Sequence, residues 1–127
     1  MDVWTYFDQR KRECEDNSLS ADDLAFSEEE GSDGRRGRIL GHVRFTDEIY
    51  LQVSESVQVV GNHIRRVDYA YFLVVDGVEY FGLERDPSHN PPVHGHGVGH
   101  KRIAAGPIAF KEVVKLAWRE VSLREAE

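Results

Sequence analysis

The sequence predicts an α+β fold: an antiparallel four- to five-stranded sheet with a C-terminal helix packed on one face and a short N-terminal helix. Three observations predict it. Residues 48–60, "EIYLQVSESVQVV", alternate apolar and polar with period two, the mark of a strand with one buried face. Asp76-Gly77 separates two β-rich runs, a strong type I′ hairpin signal. Phe110, Val113, Val114, Ala117 and Val121 recur at helical spacing near the C-terminus.

In order, residues of about 3–15 form a helix, with Asp2 as N-cap and Val3, Trp4 and Phe7 on one face. Residues 1–16 are thus an N-terminal helical segment. Residues 17–36 read as an acidic mobile linker. From Glu15 to Gly34 the chain carries eight acids, no base and few apolar anchors, too few to offset the entropy of ordering. Leu24, Ala25 and Phe26 offer a small docking element there. Residues 37–127 form the α+β domain.

Its first strand is "RILGHVRF", 38–45, followed by the turn pair Thr46-Asp47 and the strand 48–60. In that strand Ile49, Leu51, Val53, Val57 and Val59 share one parity, and Glu55 interrupts them, suggesting a bulge or bend. Gly61-Asn62 marks the next turn. A two-residue Asp76-Gly77 loop pairs Val75 with Val78 and, by simple counting, Phe72 with Phe81, Ala70 with Leu83 and Asp68 with Arg85. The expected core face is then Phe72 and Phe81, with Tyr69, Tyr71 and Tyr80 opposite. A helix from about 107 to 123, opened by Pro107, covers the Phe face.

The 127 residues suit one domain with one core, and 40% hydrophobic with 31% charged residues is ordinary for a globular protein. No apolar run is long enough to span a bilayer, and the acidic N-terminus does not read as a signal peptide. A cytoplasmic protein with no membrane partner is expected. Cys14 is the only cysteine, which excludes an intrachain disulfide and a Cys-rich metal site. The net charge of −7 is uneven. Residues 1–33 hold eleven acids and three bases, a net of −8, whereas 34–127 hold thirteen bases and twelve acids, a net of +1. A local basic patch in the second part is compatible with an anionic partner.

The chemistry concentrates in "HNPPVHGHGVGHKR", His89 to Arg102, within a His-rich loop at 86–102. His94 and His96 alternate, so an extended chain directs both rings to one side. His100 follows, then Lys101 and Arg102, and Asp86 precedes the loop, able to orient an imidazole and set its tautomer. Three readings fit. In the first, a metal-independent endoribonuclease uses one imidazole to take the 2′-OH proton and a second to protonate the leaving oxygen, while a cation holds the phosphate. In the second, His94, His96 and His100 ligate a divalent transition metal such as zinc. In the third, the stretch is a solvated loop.

Tyr69 and Tyr71 can stack nucleobases or serve as packing. Arg35-Arg36 and Arg65-Arg66 are phosphate contacts or solvated pairs. His42 and His63 lie on separate strands and receive no role. Gly95, Gly97 and Gly99 lack the strand-to-helix context of a dinucleotide fingerprint.

The stretches "VDYAYFLVVDGVEYFGLERDPSH" and "PVHGHGVGHKR" resemble the TumE-type toxins of toxin–antitoxin loci, over about Asp68 to Val121, under half of the chain. The resemblance implies a small α+β protein that acts on RNA and is neutralised by an antitoxin protein. It carries over Asp86, His89, His94, His96, His100 and Lys101. Here the cluster is spread by glycines, and the acidic segment 15–33 falls outside the shared pattern. The expected site is therefore Asp86, His89, His94, His96 and His100 as catalytic groups, with Lys101, Arg102, Tyr69 and Tyr71 binding RNA. No cofactor is required in this reading. The alternative is a non-enzymatic metal- or partner-binding module of a defence or toxin–antitoxin locus. The oligomeric state is left open.

Overall fold

Among the described residues seven strands follow one another across the sheet in chain order, each hydrogen-bonded to the next and antiparallel to it, as a meander. In this computed structural model the described residues are 1–85, 93–96, 102–104 and 109–125; for 93–96, 102–104 and 125 only the backbone is described. Helix α1 (Val3–Asp16) precedes β1 (Leu24–Glu28), β2 (Arg36–Arg44), β3 (Ile49–Val60), β4 (His63–Val75), β5 (Val78–Arg85), β6 (Val93–His96) and β7 (Arg102–Ala104). Helix α2 (Phe110–Glu125) closes the order. The α+β class, both helices and the antiparallel sheet are as the sequence predicts, and the meander extends beyond five strands at both ends.

Both helices form where local signals place them. The Asp2 carboxylate accepts a hydrogen bond from the Thr5 backbone N–H at 3.1 Å, capping α1. Val3 and Phe7 are fully buried, while Trp4 turns outward and donates its indole N–H to Glu28 at 2.9 Å. In α2 the expected stripe of Phe110, Val113, Val114, Ala117 and Val121 is buried throughout. The described helix begins at Phe110, and Pro107 lies outside the described residues. The helices share one core: Arg10 of α1 lies over the Phe110 ring at 5.6 Å, and Trp118 donates to the Asn17 carbonyl at 3.1 Å. They therefore cover the same face of the sheet. No described helix is long and apolar enough to cross a membrane.

The acidic segment is a correction. Rather than forming a linker throughout, residues 24–28 pair as β1 with β2, from Leu24 opposite Gly41 to Glu28 opposite Gly37. Leu19 and Leu24 are buried, and the Phe26 ring sits 5.2 Å from Phe7. Few apolar anchors suffice because the β2 edge supplies backbone hydrogen-bond partners, a gain that composition does not display.

The face of the central hairpin is a second correction. Asp76 and Gly77 adopt positive φ angles of 51° and 78°, and Val75 pairs with Val78, as the turn type requires. One residue later the register slips, because Tyr80 of β5 has no partner in β4: Val74 faces Glu79, whereas Leu73 faces Phe81. The pairs become Phe72 with Gly82, Tyr71 with Leu83 and Tyr69 with Arg85, displacing the expected Phe72–Phe81, Ala70–Leu83 and Asp68–Arg85. The core parity of β4 is Tyr69, Tyr71, Leu73 and Val75, set by β3. Ile49, Leu51 and Val53 lie opposite Val75, Leu73 and Tyr71, and directly opposed residues share a face. A second slip, at Ser56/Val57 of β3, leaves Val67 of β4 unpaired between Arg66 and Asp68, the partners of Val57 and Ser56. Glu55 stays on the core face and is fully buried.

Candidate functional site

Because opposed residues share a face, the register can be read across the sheet as rows. One row of the helix-free face runs His42, Gln52, Phe72, Gly82, His96 and Arg102, from β2 to β7. The next runs Leu40, Ser54, Ala70, Glu84, His94 and Ala104. His94 and His96 thus occupy same-face positions on β6, with backbones roughly 7 Å apart from strand geometry. Arg102 is one strand away from His96, and Glu84 one strand away from His94. Two imidazole positions, a guanidinium position and a carboxylate position fall in adjacent rows. That combination suits a bound phosphate flanked by two proton-transfer groups.

Of the residues expected from sequence, His94, His96 and Arg102 come together by register. Asp86, His89, His100 and Lys101 lie outside the described residues. Tyr69 and Tyr71 do not belong to any nucleic-acid surface: they are 3% and 0% exposed and stack on one another in the core, 5.2 Å apart. Glu84 was missed by sequence reasoning, because counting back from the Asp76-Gly77 turn without the Tyr80 slip pairs it with Tyr69, and only the β5–β6 register sets it beside His94. Position Gly82 also gains a meaning. The Phe72 ring lies across it, and any Cβ there would collide with the ring.

The core side holds a separate polar cluster. The Tyr6 hydroxyl donates to Glu55, whose other oxygen lies 3.9 Å from Arg10 Nε. Arg10 also pairs with Glu13 at 2.6 Å and lies over the Tyr6 ring at 4.3 Å. Arg66 donates to the Tyr71 hydroxyl at 3.0 Å and covers the Tyr69 ring at 4.2 Å. Burial lifts the Glu55 carboxyl above the ordinary carboxylate range, although Arg10, the Tyr6 hydrogen bond, Arg66 and Tyr71 pull it part of the way back. Burial and the Glu55 charge both push the Tyr6 and Tyr71 phenols up. Burial opposes the charge on Arg10, but Tyr6, Glu55 and Glu13 outweigh it and hold the guanidinium protonated. Among the described residues three buried side-chain atoms lack a hydrogen-bond partner: Glu55 Oε2 and Arg10 Nε, which face each other as an ion pair, and the Tyr69 hydroxyl. With Glu55 and Tyr71 sealed from solvent, this cluster ties α1 to the sheet. Cys14 is likewise buried, which pushes its thiol up to about 11 and leaves little reactive thiolate at neutral pH.

No family model, curated protein or solved structure matches the chain.

Proposed function

We propose that this chain is a TumE-type toxin-like protein that cleaves RNA through its histidine cluster and is held in check by a partner antitoxin protein. The observation that carries the reading is the register of β6 and β7, with His94 and His96 at same-face positions and Arg102 opposite His96. One imidazole takes the proton of a ribose 2′-OH. The 2′-oxygen then attacks the adjacent phosphorus, the P–O5′ bond breaks, and a second imidazole protonates the departing 5′-oxygen. The products are a 2′,3′-cyclic phosphate and a free 5′-hydroxyl. Arg102 or Lys101 stabilises the charge that accumulates on the phosphorane. His89 and His100 share the proton-transfer roles with His94 and His96, while Asp86 and Glu84 are the candidates to orient the rings. In the alternative reading the same imidazoles hold a divalent transition metal such as zinc in a non-enzymatic binding module.

The test is RNA cleavage by the purified full chain. His94→Ala and His96→Ala should each lower the cleavage rate about 100-fold or more while leaving the melting temperature unchanged. The rate should be bell-shaped in pH, with limbs near ordinary histidine values of about 6.5. A chelator should leave the rate intact. Absence of cleavage by the parent chain, together with stoichiometric co-purifying metal, favours the metal-binding alternative. Cleavage by both histidine variants at the parent rate overturns the proposal.

A further inference from the structure

On the helix-free face, β2 and β3 form a depression of about 550 Å³ at the far end of the row that contains His96. Its principal lining side chains are His42, Arg44, Tyr50, Gln52, Ser54 and Phe72. Their arrangement is specific. His42 Nε2 lies 3.5 Å from the Asp23 carboxylate, and the imidazole meets the Tyr50 ring edge to face at 5.4 Å. The Arg44 guanidinium sits 5.7 Å from the same ring and donates to the Asp47 carbonyl at 2.9 Å, which braces it at the rim. Gln52 is exposed and Ser54 half-buried beside them, presenting amide and hydroxyl groups on the floor. Aromatic faces, one braced guanidinium and neutral hydrogen-bonding groups on the open side of an antiparallel sheet are the chemistry that receives one unstacked nucleotide. The base stacks on an aromatic ring, its edge meets amide or hydroxyl, and its phosphate meets arginine.

We infer that this depression is a nucleotide-binding subsite that holds a single-stranded RNA away from the cleavage site. This inference rests on the reading of the chain as an RNA-cleaving protein and adds to it the surface that engages substrate. The row geometry defines the path. From β2 to β6 there are four interstrand steps, so His42 and His96 are about 19 Å apart along the sheet. A strand anchored at Tyr50 and Arg44 crosses Phe72 and Gly82 to reach His96. Gly82, with no side chain of its own and the Phe72 ring laid across it, keeps that crossing low. Tyr50 supplies the stacking surface, Arg44 the phosphate contact, and Gln52 and Ser54 the contacts to the base edge.

The experiment measures fluorescence anisotropy of a labelled, mixed-sequence short single-stranded RNA, using the full chain with His94 and His96 both changed to Ala to prevent cleavage. In that background Tyr50→Ala should weaken binding about tenfold, and Tyr50→Phe should restore it. Arg44→Gln should weaken binding and flatten the slope of log affinity against log salt by about 0.7, one phosphate contact on a single strand. Lys115→Gln, on the outer side of α2, should leave affinity unchanged. Melting temperatures of all variants are measured in parallel and should match the background. If Tyr50→Ala and Arg44→Gln bind as the background does, the subsite is overturned while the cleavage reading stands. If the wild-type chain does not cleave RNA but Tyr50→Ala weakens binding, the subsite stands and the cleavage reading falls. If the background protein binds no RNA, the subsite falls, and the cleavage reading stands or falls on cleavage by the wild-type chain.

Discussion

At the residue scale, Glu55 shows how a local sequence irregularity becomes a titrating element of the core. It sits on the apolar parity of β3 and is fully buried, so ionising it requires compensation from Tyr6, Arg10 and Arg66. Burial wins, and its folded-state pKa lies above the ordinary 4.5. Between those two values the native state binds a proton that the unfolded chain has released. Stability therefore falls as pH rises from the ordinary carboxylate range through the raised value. Glu55→Gln keeps an acceptor for the Tyr6 hydroxyl but carries no titratable group. Urea midpoints measured from about pH 4 to about pH 8 should decline for the parent and decline less for Glu55→Gln. Parallel curves for the two proteins would place the pH dependence elsewhere.

At the scale of elements, α2 and β1 make contrasting contributions. Phe110 is 1% exposed at the start of α2, between Arg10 and the Tyr71 ring, 5.9 Å away. Phe110→Ala should cost about 3–5 kcal/mol in chemical denaturation. Phe81, only half-buried after the Tyr80 slip, should cost distinctly less when truncated. β1 is acidic and short, yet it contributes through Leu24 and through its hydrogen bonds to β2. Leu24→Ala should cost about 2–3 kcal/mol, and deleting 20–33 should lower the melting temperature by several degrees. An unchanged melting temperature after that deletion would show that β1 adds nothing to the stability of the sheet.

Across the whole molecule, charge is partitioned between an acidic N-terminal quarter and a mixed sheet. Where the two meet, the acids lie against basic residues of the helix-free face: Asp23 is 3.5 Å from His42, and Glu29 pairs with Arg36 at 3.7 Å. These pairs are solvent-exposed, so each contributes at most about 1 kcal/mol to stability. Their larger effect is on the potential that an approaching polyanion meets. The double variant Asp23→Asn, Glu29→Gln should bind single-stranded RNA about two- to fivefold more tightly at low salt, with a steeper salt dependence and little change in melting temperature. Equal affinity at every salt concentration would separate the acidic edge from RNA binding.

What the sequence by itself determined are the features written in short range. Asp2 caps α1, the stripe from Phe110 to Val121 packs α2, Asp76-Gly77 turns the hairpin, and the alternation from Ile49 to Val59 marks the buried face of β3. Each depends on residues within a turn or two of one another, so periodicity and backbone preference reveal it. The same holds for His94 and His96 sharing a face, which follows from their spacing once the segment is extended. Tertiary structure decided the rest. Pairing with β3 sent Tyr69 and Tyr71 inward, and the unpaired Tyr80 moved every later residue of β5 by one position against β4, which put Glu84 in the row of Ala70 and His94. Edge pairing with β2 drew an acidic segment into the sheet as β1. The grouping of His42, Arg44 and Tyr50, which the sequence scatters as unremarkable strand residues, arises only when β2 lies beside β3. The physical reason is common to all three. Strand register is a property of two chains meeting, and a one-residue slip exchanges the faces of a sheet, so its consequences are legible only after the long-range partners are in place.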